Sequence, residues 1–116
     1  MKKLLSLLLA LLMFTLPAAA MGETVVTSFY PIYLFALNLT QGVEGLEVQN
    51  LAAPTTGCLH DYQLQTSDMK TLAKAQVFLI NGAGMESYLT NVFEAFPDLP
   101  VVDASEGIAL MDDDGE

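Results

Sequence analysis

The sequence is poor in cysteine, tryptophan, histidine and positive charge. Its 116 residues include one cysteine, no tryptophan and one histidine, and four Lys or Arg stand against fourteen Asp or Glu. The single cysteine, Cys58, has no partner, which excludes a disulfide scaffold. So few cationic side chains leave no basic surface for phosphates, and we expect no nucleic-acid partner. The formal net charge of −10 favours a cation partner or simply solubility.

Apolar residues are abundant, and many of them lie in a predicted export signal. Hydrophobic residues make up 53% of the chain, which argues against intrinsic disorder. Lys2 and Lys3 precede an apolar run at residues 4–16, and Pro17 with the alanines at 18–20 completes a cleavage pattern. We predict a signal peptide at residues 1–20. An uncleaved membrane anchor is the alternative, but the run is shorter than the ~20 residues that a spanning helix needs.

Strand and helix patterns alternate along residues 21–116. Helical patterns occupy residues 31–39, 67–73 and 88–96, and strand patterns occupy residues 24–29, 46–51, 77–80 and 101–102. Such alternation predicts an α/β fold, with a parallel sheet flanked by helices. Ser67 is the predicted cap of the second helix. The predicted inner faces are Ile32, Phe35, Ala36 and Leu39, then Met69, Leu72 and Ala73, then Tyr88, Leu89, Val92, Phe93 and Phe96.

The loops that follow three of the predicted strands should share one edge of the sheet. They begin after Phe29, Leu51 and Ile80, and ligands of parallel sheets bind beyond the carboxyl ends of the strands. We therefore expect His60 and the glycine turn at residues 82–84 to lie on the same side of the molecule.

The stretch at residues 82–87, Gly-Ala-Gly-Met-Glu-Ser, partly matches a dinucleotide-binding fingerprint. Ser87 stands where the third glycine or alanine belongs, and Glu86 would place a carboxylate beside the pyrophosphate. Both departures favour a plain tight turn, with Glu86 stabilised by the dipole of the following helix.

His60 is the candidate metal ligand. Asp61 follows it and Cys58 precedes it by two residues, and imidazole and carboxylate groups suit transition metals such as zinc or manganese. A lone loop histidine without a functional role is the alternative. Cys58 and His60 are too close in sequence for an ordinary nucleophilic dyad. The acidic run at residues 112–116 lacks the spacing of a calcium loop and is interpreted as a solvated end.

Four stretches together resemble a known family. Residues 26–33, residues 60–62, Ser67 with Asp68, and residues 81–86 look like the metal-binding lipoproteins and periplasmic zinc/manganese solute-binding proteins of ABC importers. The order and spacing of the four stretches agree across nearly all of residues 21–116. Each stretch alone is a weak signal, and the four in sequence are fairly specific.

The resemblance implies a two-lobed binding protein whose lobes are joined by one long helix and hold the metal between them. Residues 21–116 would form the N-terminal lobe, and the C-terminal lobe would be missing from this chain. His60 corresponds to the metal ligand of that lobe, and the other ligands would lie beyond Glu116. The cargo would be zinc or manganese, delivered without catalysis to the permease of an ABC importer outside the cytoplasm.

Two positions depart from the family pattern. Met21 follows Ala20 where many relatives have a lipid-attachment cysteine, so a lipid anchor is not expected there. Cys58 lies in an unusual segment before His60, which allows either a fourth, soft metal ligand or a buried thiol. Two other function classes stay open. One is an exported enzyme such as a metal-dependent hydrolase with downstream catalytic residues, and the other is a small adhesion or interaction domain.

Overall fold

Four strands and three α-helices alternate in the computed structural model, which describes residues 22–52 and 59–111. The strands are β1 (Glu23–Thr27), β2 (Leu46–Asn50), β3 (Val77–Ile80) and β4 (Val101–Asp103). The helices are α1 (Tyr30–Leu39), α2 (Thr66–Leu72) and α3 (Leu89–Ala95), and a 3-10 turn spans Leu59–Asp61. The predicted signal peptide, Cys58 and the acidic run at 112–116 lie outside the described residues.

The four strands form one parallel sheet in the order β2-β1-β3-β4, which confirms the predicted α/β fold. The connection from β1 to β2 moves toward one edge of the sheet. The connections from β2 to β3 and from β3 to β4 move toward the other edge. Right-handed crossovers in opposite directions place their helices on opposite faces. Helix α1 therefore covers one face of the sheet, and α2 and α3 cover the other.

The main core lies between the sheet and helices α2 and α3. Its members are buried side chains from β1, β3, α2 and α3, together with the residue after β2 and the residue before α3: Val26, Leu51, Leu72, Phe78, Ile80, Tyr88 and Val92. Burial of a Val, Leu, Ile or Phe side chain contributes roughly 1.5–3 kcal/mol, so this cluster is a main source of the stability of the fold.

The predicted inner face of α1 is only half right. Ile32 and Ala36 are buried, but Phe35 is 64% exposed and Leu39 is 83% exposed. The helix packs mainly against β1 and β2, and a single i, i+4 strip covers that contact. Because the sequence of α1 is apolar nearly all round, periodicity could not identify which strip faces the sheet.

Helix α2 also departs from its predicted cap. Gln65, rather than Ser67, is the cap residue, and it forms a reciprocal capping box with Asp68. This pairing places Asp68 inside the protein and leaves Ala73 exposed, whereas Leu72 is buried as predicted. In α3, Phe93 is 45% exposed because the helix covers the core through Tyr88 and Val92.

No helix among residues 22–52 and 59–111 is long and apolar enough to cross a membrane.

Candidate metal centre

A polar cleft opens at the carboxyl edge of the sheet. It lies between the 3-10 turn that carries His60 and the loop that joins β3 to α3. Its volume is about 640 Å³, and it is lined by His60, Asp61, Tyr62, Gln63, Leu64, Ser87, Tyr88 and Asn91. The sequence-based expectation that His60 and the glycine turn share one side of the molecule is therefore confirmed.

His60 is an exposed residue of the 3-10 turn and is attached to the opposite wall of the cleft. The Ser87 hydroxyl donates a hydrogen bond of 2.7 Å to the His60 carbonyl oxygen. The two residues are 27 positions apart in sequence, so this contact joins two separate loops. Asp61, next along the turn, adds a carboxylate to the same cleft.

Tyr62 directly follows the turn. Its hydroxyl donates to Asp68 Oδ2 at 2.7 Å, and the same oxygen accepts the Gln65 backbone N–H at 2.7 Å. Burial of the phenol and its bond to the negatively charged Asp68 raise the pKa of Tyr62 to about 12. The neutral phenol therefore stays a hydrogen-bond donor throughout the physiological pH range.

Tyr88 connects the cleft to the central strand. Its ring packs edge-on against Tyr62 with the ring centroids 5.5 Å apart, and its hydroxyl donates to the Ser28 carbonyl at 3.1 Å. Burial, followed by the nearby charge of Glu86, raises the pKa of Tyr88 well above its ordinary value. This aromatic pair lines the cleft next to the 3-10 turn.

The turn after β3 is tight, as expected, but the predicted role of Glu86 is wrong. Helix α3 begins at Leu89, three positions beyond Glu86, so this carboxylate is not in the first helical turn. It is buried, and its oxygens accept the backbone N–H groups of Asn81 at 2.7 Å and Gly82 at 3.1 Å. Glu86 therefore closes the turn through hydrogen bonds instead of through the helix dipole.

The described residues supply only part of a metal site. Within residues 22–52 and 59–111, no group of three His, Cys, Asp or Glu side chains lies close enough together to hold a metal ion. A tight zinc site needs about four ligands, whereas the cleft offers the imidazole of His60 and the carboxylate of Asp61. The suggested role of Cys58 stays a prediction, because that residue lies outside the described part of the chain.

Sequence reasoning named Asp68, Glu86 and Ser87 but did not predict the hydrogen bonds through which they shape the cleft. A Gln-x-x-Asp pattern before the second helix could have indicated the capping box of Asp68. The bonds of Glu86 to the turn amides and of Ser87 to the His60 carbonyl depend on loop conformation, and no local sequence pattern indicates them.

Comparison with known families agrees with this geometry. Residues 25–116 match the sequence profile described as ZnuA, zinc-uptake complex component A, periplasmic. A Thermotoga maritima protein assigned to metal binding is 34% identical over 106 residues, 91% of this chain and 38% of that protein. The zinc uptake protein ZnuA of Haemophilus ducreyi is 34% identical over 73 residues, 63% of this chain and 23% of that protein.

Solved structures show the same fold. The metal-dependent lipoprotein YcdH of Bacillus subtilis aligns with a TM-score of 0.67 and 28% identity, over 78% of this chain and 34% of that one. Zinc-bound AdcA of Streptococcus pneumoniae aligns with a TM-score of 0.65 and 20% identity, over 78% of this chain and 19% of that one. This chain therefore spans well under half the length of the proteins that it matches.

Proposed function

We propose that this chain, which belongs to the ZnuA family of periplasmic zinc-uptake components, supplies part of a binding site for Zn²⁺ or Mn²⁺. His60 is the metal ligand, and it binds as the neutral imidazole. The metal is cargo, captured outside the cytoplasm for the permease of an ABC importer. Residues 21–116 form the N-terminal lobe of a two-lobed binder, and residues 1–20 form the export signal.

The observation that carries this proposal is the position of His60. The residue lies on a short turn at the carboxyl edge of a parallel sheet and lines a polar cleft. Ligands of such sheets bind at this edge, and imidazole is the commonest protein ligand of transition metals. The cleft also contains the Asp61 carboxylate, and this combination suits both zinc and manganese.

The names of the relatives support the choice of cargo. The Haemophilus ducreyi relative is a zinc uptake protein, and a 34% identical relative from Halalkalibacterium halodurans is a manganese-binding lipoprotein. Both names describe metal-binding or uptake proteins rather than enzymes. No contact among residues 22–52 and 59–111 favours the metal-dependent hydrolase or the adhesion domain over this reading.

The test is a metal titration of residues 21–116, the proposed exported chain, monitored by NMR. We expect Mn²⁺ to broaden backbone amide signals around His60 first, and Zn²⁺ to shift the imidazole signals of His60. Among the described residues that line the cleft, only His60 and Asp61 carry an imidazole or a carboxylate, so binding should be weak compared with that of a complete four-ligand site.

Two variants make the titration decisive. His60→Ala should weaken binding at least tenfold, since the imidazole is removed, whereas Gln63→Ala changes the same cleft without removing a metal-binding group. Equal affinity of His60→Ala and the unmodified chain would refute the assignment of His60. Equal losses in both variants would mean that the effect is not ligation.

A further inference from the structure

We infer that Ser87 is a positioning residue that holds His60 ready for the metal; this inference rests on the proposed function of His60. The Ser87 hydroxyl donates a hydrogen bond of 2.7 Å to the His60 carbonyl oxygen. The hydrogen bond therefore acts on the backbone of the proposed ligand and does not itself involve the imidazole nitrogens. Both residues line the same cleft.

Ser87 is a firm point of attachment because both of its neighbours are fixed. On one side, the buried carboxylate of Glu86 accepts the backbone N–H groups of Asn81 and Gly82. On the other side, the buried ring of Tyr88 packs in the core, and its hydroxyl donates to the Ser28 carbonyl. Ser87 itself is exposed between these two anchors, with its hydroxyl directed to the turn across the cleft.

The conformation of the turn that carries His60 depends on this hydrogen bond, whereas the packing of the core does not. Leu59–Asp61 is a three-residue 3-10 turn, and such short turns have poor internal hydrogen bonding. Without this hydrogen bond, metal binding must supply more of the ordering of the turn, and that ordering subtracts from the affinity. A preformed turn removes this cost, which is the usual effect of preorganisation around a ligand.

One hydrogen bond sets the size of the expected effect. Its net contribution corresponds to about a three- to tenfold change in an equilibrium constant. Ser87→Ala should therefore weaken Zn²⁺ and Mn²⁺ binding by about three- to tenfold. Ser87→Thr keeps a hydroxyl in the same place and should restore most of the affinity.

The experiment compares these variants of the exported chain by Mn²⁺ and Zn²⁺ titration and by urea unfolding. Ser67→Ala is the matched control, because Ser67 is also exposed and its hydroxyl has only a weak contact of 3.4 Å with Asp68. His60→Ala is titrated in parallel. The expected result is a lower metal affinity for Ser87→Ala with a fall of no more than about 0.5 M urea in the unfolding midpoint, rescue of both by Ser87→Thr and no effect of Ser67→Ala on the affinity.

The other outcomes separate this inference from the proposed function. If Ser87→Ala has the metal affinity of the unmodified chain while His60→Ala has a lower one, Ser87 has no positioning role and His60 remains the proposed metal ligand. If Ser87→Ala lowers affinity and the unfolding midpoint together, without rescue by threonine, its role is structural and the inference is wrong. If His60→Ala binds like the unmodified chain, the proposed function itself fails.

Discussion

Replacing Gly82 by alanine should destabilise the fold far more than the same change two residues later. Gly82 has a backbone φ of +77°, and a Cβ built there would lie closer than 3.0 Å to the Asp103 carboxylate and the Ser105 hydroxyl. Gly84 has a similar φ of +74°, but a Cβ there meets nothing within 4 Å. An alanine would therefore have a similar backbone strain at either position, and the two positions differ in the atoms that surround the new methyl group.

The structure gives the size of each loss. A left-handed backbone costs an alanine about 1–2 kcal/mol, and this term applies at both positions. At Gly82 the new methyl group must also displace the Asp103 carboxylate, which accepts the Ser105 N–H at 2.8 Å and the Ser105 hydroxyl at 2.7 Å. Each lost bond adds about 1 kcal/mol. We expect losses of roughly 3–4 kcal/mol for Gly82→Ala and about 1–2 kcal/mol for Gly84→Ala.

Urea unfolding of the two variants measures this difference directly. Entropy lost from the unfolded chain is the same for both Gly→Ala changes, so it cancels in the comparison. With a slope of about 2 kcal/mol per molar urea, the midpoints should differ by roughly 1 M. Equal midpoints would refute the steric argument, and a larger loss for Gly84→Ala would show that the turn after β3 is arranged differently.

Two other perturbations test buried groups beside the cleft. The pKa of Tyr62 is about 12 in the fold against 10.0 for a free phenol, so the folded chain keeps this proton at a pH where the unfolded chain loses it. The free energy of unfolding should fall as pH rises from 10 to 12, and Tyr62→Phe should make this fall smaller when it is measured by urea unfolding at each pH. An equal dependence on pH in the variant and the unmodified chain would contradict this. The Ser28 hydroxyl is buried without a hydrogen-bond partner among residues 22–52 and 59–111, so Ser28→Ala should keep or raise the unfolding midpoint, and a loss above about 1 kcal/mol would contradict this expectation.

The sheet could be predicted because its strands have a simple physical signature. The apolar run of β3, Val77–Ile80, has the bounds that the sequence predicts, since a strand covered on both faces has no polar interruption. The alternation of strands and helices then fixes the parallel topology. The same reasoning placed His60 and the glycine turn at one edge, because all carboxyl ends of a parallel sheet meet there.

Other features could not be predicted because they depend on which distant parts of the chain a residue contacts after folding. Phe35 and Leu39 are as apolar as Ile32, and only the contact of α1 with two strands decides which of them is buried. Asp68 and Glu86 are buried carboxylates, although such residues are exposed in most proteins. Their burial follows from backbone N–H groups that become available to them only after the loops have folded.

The acidic composition of the chain is therefore not evidence for a carboxylate-rich metal site at this edge. Asp68 accepts hydrogen bonds from a phenol and a backbone amide, and Glu86 accepts two backbone amides. A metal ion bound to either carboxylate would break bonds that hold the loops in place. In the proposed site, the imidazole of His60 would instead bind the ion while its backbone stays attached to Ser87. High affinity at such a site would require further ligands, since a tight zinc site has about four.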